Sequence, residues 1–134
     1  MLTKKISTTL LISALVWIGC SGAPSGAITE YRTTVGTATV DDFNMLSNKI
    51  LNRHRYLVDR TLDRGMGVVI ECKYEYPGIS NEEALKGIRE IRYRLTVEAR
   101  AKGAAGGMFS VRAITRSYGR FGGSEDWVDI PIND

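Results

Sequence analysis

The chain has 134 residues, of which 43% are hydrophobic and 25% charged, a composition typical of a globular protein rather than a disordered or collagen-like one. This length predicts one domain. A single His and two Cys are too few for a zinc finger, an iron–sulfur cluster or a disulfide framework, so we expect no metal site and no cofactor.

The N-terminal segment has the layout of a signal peptide. Lys4 and Lys5 give it a positive start, and an apolar stretch then runs from Leu10 to Ile18. As a helix this stretch covers about 14 Å, about half of a bilayer core of about 30 Å. It is therefore too short for a typical membrane-spanning helix.

The apolar stretch ends in Ile18-Gly19-Cys20 and is followed by residues 21–27, which are only Ser, Gly, Ala and Pro. Here the chain resembles a bacterial lipoprotein precursor, although Trp17 stands where that family usually has Leu. The resemblance implies cleavage before Cys20 and acyl chains on its sulfur and new amino terminus, which bind the membrane. The organisation it implies is a signal peptide (1–19), a lipidated Cys with a flexible tether (20–28) and a domain (29–134).

The residue after the Cys bears on the destination of the protein. Ser21, rather than Asp, resembles lipoproteins sent to the outer membrane, and this implies an anchored protein on the periplasmic side. Three alternatives stay open. Cleavage after Ala23 or Ala27 would release a soluble secreted protein, the apolar stretch could remain as an uncleaved anchor, or it could be a buried helix.

A strand and a helix open the predicted domain. Residues 28–40 are rich in Thr, Val and Tyr, which favours a strand. Asp41 and Asp42 supply a cap and negative charge for a helix that ends near Arg53. Its apolar residues recur at helical spacing, so we expect this stripe to pack on a sheet: Phe43, Leu46 and Ile50, flanked by Met45 and Leu51.

Two strand patterns follow, over residues 56–62 and 68–76, with a Gly-containing connection that predicts a hairpin. The alternation places five residues on one apolar face: Val68, Ile70, Cys72, Tyr74 and Tyr76. The same alternation places Arg60 on the apolar face of the first strand, between Val58 and Leu62.

A second hairpin is predicted after a short helix. Ser80 and Glu83 fit a capping box for a helix over 81–86. Residues 91–102 and 109–118 alternate around the Gly-rich segment 103–107. A turn centred on Ala105 pairs small with large residues and sets Glu98 opposite an arginine: Ala101 with Phe109, Ala99 with Val111, Val97 with Ala113, Leu95 with Thr115, and Glu98 with Arg112.

Residues 127–132 form the last extended segment, and Pro131 confines it to an edge or a strand end. The elements together predict an α+β fold. It is a single small domain with a four- to six-stranded antiparallel sheet and one amphipathic helix packed on it.

Two groups of side chains are candidate binding residues. Arginines share the outward face of the second hairpin and could contact an acidic envelope protein, an anionic glycan or lipid headgroups, or could simply be a solvated face: Arg92, Arg94, Arg100, Arg112 and Arg116. Arg60, Tyr56 and Tyr74 could instead line a pocket for a glycan or lipid fragment between helix and sheet, although Arg60 could equally lie at the sheet margin.

Catalytic and nucleic-acid functions have little support in the sequence. Cys72 is predicted to be a core residue, and His54 a solvated residue at a helix end. No Walker A motif, nucleophile elbow, HExxH or Cys-x-x-Cys motif occurs, so we expect no enzyme. Removing Lys4 and Lys5 from the 18 basic residues leaves 16 against 15 acidic ones, a nearly neutral domain with no nucleic-acid reader motif.

Overall fold

The computed structural model describes residues 27–103 and 106–132. The signal peptide, Cys20 and most of the tether predicted from the sequence lie outside these residues, as does Ala105 at the centre of the second hairpin. Of the two helices described, neither is long and apolar enough to cross a membrane.

Six strands and two helices form in the described part of the chain. In chain order they are β1 (Glu30–Thr39), α1 (Val40–Arg53), β2 (Val58–Asp63), β3 (Gly67–Cys72), α2 (Asn81–Leu85), β4 (Ile88–Ala101), β5 (Met108–Phe121) and β6 (Trp127–Asp129).

The strands form one antiparallel sheet in the order β2-β3-β4-β5-β1. β6 also pairs with β5, next to residues 118–120 and beyond the end of β1. The α+β fold with an antiparallel sheet and a packed helix, predicted from alternation and spacing, is confirmed.

The register of the second hairpin is also confirmed. Ala101 pairs with Phe109 and Ala99 with Val111, and the same register continues to the pair of Ile91 and Gly119. Small residues opposite large ones let one face of the two long strands pack closely.

Helix α1 lies over one half of the sheet. Its N-cap is Thr39, whose hydroxyl accepts from the Asp42 amide, and not the acidic pair that the sequence suggested. The stripe prediction was partly wrong, because Leu46 and Ile50 are 39% and 53% exposed. The buried cluster under the helix is formed by Phe43, Leu51, Ile70, Cys72, Ala99, Phe109 and Val111.

A second small cluster forms at the other end of β4 and β5, where Ile88, Ile91 and Ile130 are buried together. Gly119 makes this contact possible. A Cβ atom at that position would lie 2.8 Å from a methyl carbon of Ile130, so a larger residue would push the C-terminal segment away from the sheet.

Register shifts also occur in β1 and β4, but two others decide where predicted site residues point. In β2 the register shifts by one residue between Val58, opposite Cys72, and Arg60, opposite Glu71. The prediction that Arg60 lies on the apolar face was therefore wrong. Each of these β-bulges inserts one extra residue, which reverses the alternation beyond it.

The second shift follows β3. Glu71 pairs with Thr96, whereas Glu75 pairs with Tyr93, so four steps along one strand match three along the other. The extra residue ends the shared face at Cys72. Tyr74, predicted to lie beside Cys72 on the apolar face, lies on the opposite face of the sheet.

Candidate functional site

The sheet face that α1 does not cover, which we call the open face, is rich in arginine. On this face arginines outnumber carboxylates. The eight arginines are Arg32, Arg60, Arg92, Arg94, Arg100, Arg112, Arg116 and Arg120, and the six carboxylates in contact with them are Glu30, Asp59, Glu71, Glu90, Glu98 and Glu125.

Three of the five arginines predicted to form an anionic-partner face are ion-paired within the protein. Arg94 donates to Glu71 at 2.8 Å and to Asp59 at 3.3 Å. Arg100 donates to Glu98 at 3.1 Å, and Arg116 to Glu30. The pairs of the exposed Arg100 and Arg116 contribute about 0–1 kcal/mol each, whereas both side chains of the Arg94–Glu71 pair are more than four-fifths buried. Most of the network therefore sets the charge pattern of the face.

The ion pairs keep their carboxylates ionised. The hydrogen bond from Arg60 lowers the pKa of Glu71, and the charge of Arg94 acts in the same direction. Hydrogen bonds from Arg32 and Arg116 lower the pKa of Glu30. The positive excess of the face is therefore concentrated at the arginines without such a partner.

An alternating stack of arginine and aromatic side chains runs across the open face, and we call it the arginine–aromatic stack. The Cζ atoms of Arg94 and Arg92 each lie 4.0 Å from the centroid of the Tyr74 ring. Arg92 also lies 4.1 Å from the Trp127 centroid, and Arg120 follows at 5.3 Å from the same ring. These are distances at which a cation is attracted to an aromatic ring.

Two further rings border the stack. Tyr118 meets Tyr74 edge to face at 6.0 Å between centroids, and Tyr76 meets Trp127 at 6.2 Å. The stack joins the segment after β3 to strands β4, β5 and β6. It exists only because the register shift after β3 turns Tyr74 toward the open face.

Of the five arginines predicted for this face, only Arg92 is held mainly by aromatic contacts. Its Nε atom is buried and has no hydrogen-bond partner within the described residues, and the same holds for Nε of Arg94. Arg112 lies opposite Glu98 and is exposed. The structure therefore brings the five predicted arginines onto one face, where three are ion-paired, Arg92 lies among aromatic rings and Arg112 is exposed.

The pocket predicted from Arg60, Tyr56 and Tyr74 does not exist as a unit. Tyr56 packs against the core under α1. Arg60 and Tyr74 lie on the open face, where Arg60 donates to Glu71 at 2.7 Å. Because the two register shifts separate these side chains from Tyr56, they cannot surround one ligand between helix and sheet.

A different groove does lie between α1 and the sheet. It has a volume of about 300 Å³, and its walls are mainly apolar side chains of α1, β1, β4 and β5. Val35 at its rim is 65% exposed. The sequence signal for this groove was present in the helix, because the apolar stripe is wider than the surface that α1 buries: Leu46 and Ile50 line the groove, with Leu95, Val97 and Ala113 on the sheet side.

Cys72 and His54 lie in different environments. Cys72 is fully buried, as predicted for a core residue, and burial raises the pKa of its thiol. His54 is the exposed C-cap of α1. Within residues 27–103 and 106–132, no three His, Cys, Asp or Glu side chains are grouped so as to hold a metal ion.

Comparison of the chain with protein families, with curated proteins and with solved structures finds no match. The candidate sites therefore rest on the geometry of the open face and of the groove beside α1.

Proposed function

We propose that this protein is a lipid-anchored, periplasm-facing lipoprotein of the outer membrane that acts as a non-catalytic binding or scaffold component of the cell envelope. Acyl chains on Cys20 hold it at the membrane, since two or three chains bind stably where one binds only marginally. The support is the Ile18-Gly19-Cys20 box after a positively started apolar segment.

The binding surface in this proposal is the open face, and the observation that carries it is the excess of arginine over carboxylate on an uncovered sheet face. A positive field on one face steers an anionic partner and fixes its orientation. The partner is an acidic envelope protein, an anionic glycan or a lipid headgroup.

Anchoring is tested by expressing the full chain in a Gram-negative host that is fed radioactive palmitate. The cells are then fractionated, and both the label on the protein and its membrane fraction are measured. We expect the wild type to be labelled and recovered in the outer membrane, and Cys20→Ala to lose both properties. Cys72→Ala is the matched control, because Cys72 lies in the core and should remain labelled at Cys20. Unchanged membrane association of Cys20→Ala would show that anchoring does not depend on lipidation.

Binding by the open face is tested with heparin as a polyanionic probe. Arg112→Gln removes an exposed charge from this face, whereas Lys49→Gln removes one from exposed α1. We expect Arg112→Gln to elute from a heparin column at clearly lower salt than Lys49→Gln. Equal elution of the two variants would mean that the open face is not the anion-binding surface.

The groove beside α1 favours a second candidate function, which is binding of a lipid fragment. At about 300 Å³ it lies at the lower end of ligand-pocket volumes, and its walls suit an acyl chain. The test is fluorescence of the apolar probe N-phenyl-1-naphthylamine. Val35→Glu at the groove rim should reduce probe binding, whereas Met45→Glu, equally exposed but outside the groove, should not. Equal probe binding by both variants would show that the groove is not the binding site.

A further inference from the structure

Arg92 is the middle member of the arginine–aromatic stack and has the most aromatic surroundings of its three arginines. Its Cζ lies over the rings of Tyr74 and Trp127 at 4.0 and 4.1 Å, and the Tyr118 ring adds a third contact at 5.5 Å. Ring atoms therefore displace water from much of its guanidinium surface.

Charge partners are distributed unevenly along the stack. The arginine at each end, Arg94 or Arg120, donates to two carboxylates. For Arg92, no carboxylate of the described residues lies within 4.0 Å, and its Nε is buried without a partner. The central cation is thus partly desolvated and lacks the counter-ion that its two neighbours have.

The chemistry of the guanidinium specifies what would complete this site. Its five N–H groups all point within one plane, so rings lying over its faces leave the in-plane edge as the place for acceptors. A desolvated charge without a partner is costly. An anion that offers two oxygens to the planar fork removes that cost through paired, charge-assisted hydrogen bonds.

We propose that Arg92 is an oxyanion-binding site that takes a phosphate group. A phosphate carries more negative charge than a carboxylate and has three acceptor oxygens, so it offers the planar fork of Arg92 more acceptors than a carboxylate does. The inference rests on the proposed anionic partner and narrows it to one that presents phosphate, either free or on a lipid headgroup.

Trp127 provides a direct reporter of this site. The chain has two Trp, so Trp17→Phe in the full chain leaves Trp127 as the only one. The test is titration of this protein with inorganic phosphate at constant ionic strength, with chloride as the replaced anion. We expect a saturable change in Trp127 fluorescence that chloride alone does not produce.

Three variants locate the effect. Arg92→Gln should weaken phosphate binding by about ten-fold or more, because it removes the charge and the fork. Arg92→Lys should also weaken it, because an ammonium lacks the paired planar donors. Lys49→Gln, which removes an exposed charge from α1 and not from the open face, should bind as the wild type does. Thermal melting checks each fold, and if Arg92→Gln does not fold, the wild-type and Arg92→Lys titrations decide the question.

Vesicle sedimentation of the Cys20→Ala protein separates the two sources of phosphate. Binding to phosphatidylcholine vesicles only when they contain phosphatidic acid indicates a headgroup, and binding of inorganic phosphate alone indicates a soluble group. Absence of both, or unchanged phosphate affinity in Arg92→Gln and Arg92→Lys, overturns the inference. Fractionation of Cys20→Ala tests anchoring separately, so the inference can fail while the proposed anchoring holds.

Discussion

The contact between Tyr93 and Glu75 fixes the shifted register on which the arginine–aromatic stack depends. The two residues exchange backbone hydrogen bonds of 2.9 and 3.0 Å, and the Tyr93 hydroxyl donates to Glu75 Oε2 at 2.7 Å. This side-chain bond, together with burial, raises the pKa of Tyr93 to about 12. Tyr93→Phe removes that bond and leaves the backbone pairing in place.

The pKa sets an upper limit for the loss of stability. A rise in the pKa from the ordinary tyrosine value of 10.0 to about 12 corresponds to about 3 kcal/mol. Since Tyr93 is only half-buried, solvent screens the bond, and we expect Tyr93→Phe to lower the free energy of unfolding by about 2 kcal/mol at pH 8.

The same pKa gives the sign of the pH dependence. Below pH 10 both the folded and the unfolded chain keep the Tyr93 proton, so the full contribution is present. Between pH 10 and about 12 the unfolded chain loses this proton first, and the contribution of Tyr93 to stability is lost. The difference between wild type and Tyr93→Phe should therefore shrink to less than about 1 kcal/mol at pH 11.5.

Urea unfolding followed by circular dichroism measures this difference at each pH. The control is Tyr31→Phe, because Tyr31 is 58% exposed and its hydroxyl has no hydrogen-bond partner within the described residues. The reasoning is refuted if Tyr93→Phe unfolds as the wild type does at pH 8, or if the difference is as large at pH 11.5.

Three further predictions concern single contacts. Gly67→Ala would place a Cβ 2.3 Å from a carbonyl oxygen of β4, and in urea unfolding it should lower the free energy of unfolding by about 1–3 kcal/mol. The control Gly78→Ala, whose Cβ would have no described atom within 4 Å, should change that free energy by less than about 0.5 kcal/mol. In a Cys20→Ala background, Cys72 should react with Ellman's reagent only in urea, because burial both shields the thiol and raises its pKa; rapid reaction of the native protein would contradict this. Ser80→Ala should cost about 0.5–2 kcal/mol by urea unfolding, through loss of the capping box of α2, and Ser80→Thr should restore it.

The sequence was sufficient for the second hairpin because two independent signals agree there. Alternation over both strands defined the faces, and the pairing of Ala101 with Phe109 and Ala99 with Val111 selected one register. The capping box at Ser80 was equally direct, since its donor and acceptor are three residues apart. Local signals of this kind need no knowledge of the rest of the fold.

The arginine–aromatic stack could not be predicted in this way. Its members come from the segment after β3 and from strands β4, β5 and β6, and only strand pairing brings these segments together. The alternation predicted that Arg92 and Arg94 point outward. It gave no means of placing Trp127 from β6 over Arg92.

The position of Arg60 in the sequence indicated the first register shift. Regular alternation would have buried its charge beside Val58, and an unpaired buried charge costs several kcal/mol. A bulge costs the pairing of one residue on β2, which is an edge strand. The bulge costs less than the buried charge, so β2 contains the bulge and Arg60 contacts Glu71 on the open face.

The second shift has a different basis. Tyr74 bears no charge, and as an apolar ring it would be acceptable on either face, so sequence alone offers no penalty that selects the shifted register. What selects it is cross-strand chemistry: Glu75 accepts from Tyr93, and Tyr74 gains two guanidinium contacts at 4.0 Å. Both shifts place arginine or its aromatic partners on the same uncovered face. The arginines of β4 and β5 reach this face through regular alternation. The two irregularities add Arg60 and Tyr74 to it, and the stack that holds Arg92 therefore depends on the second shift.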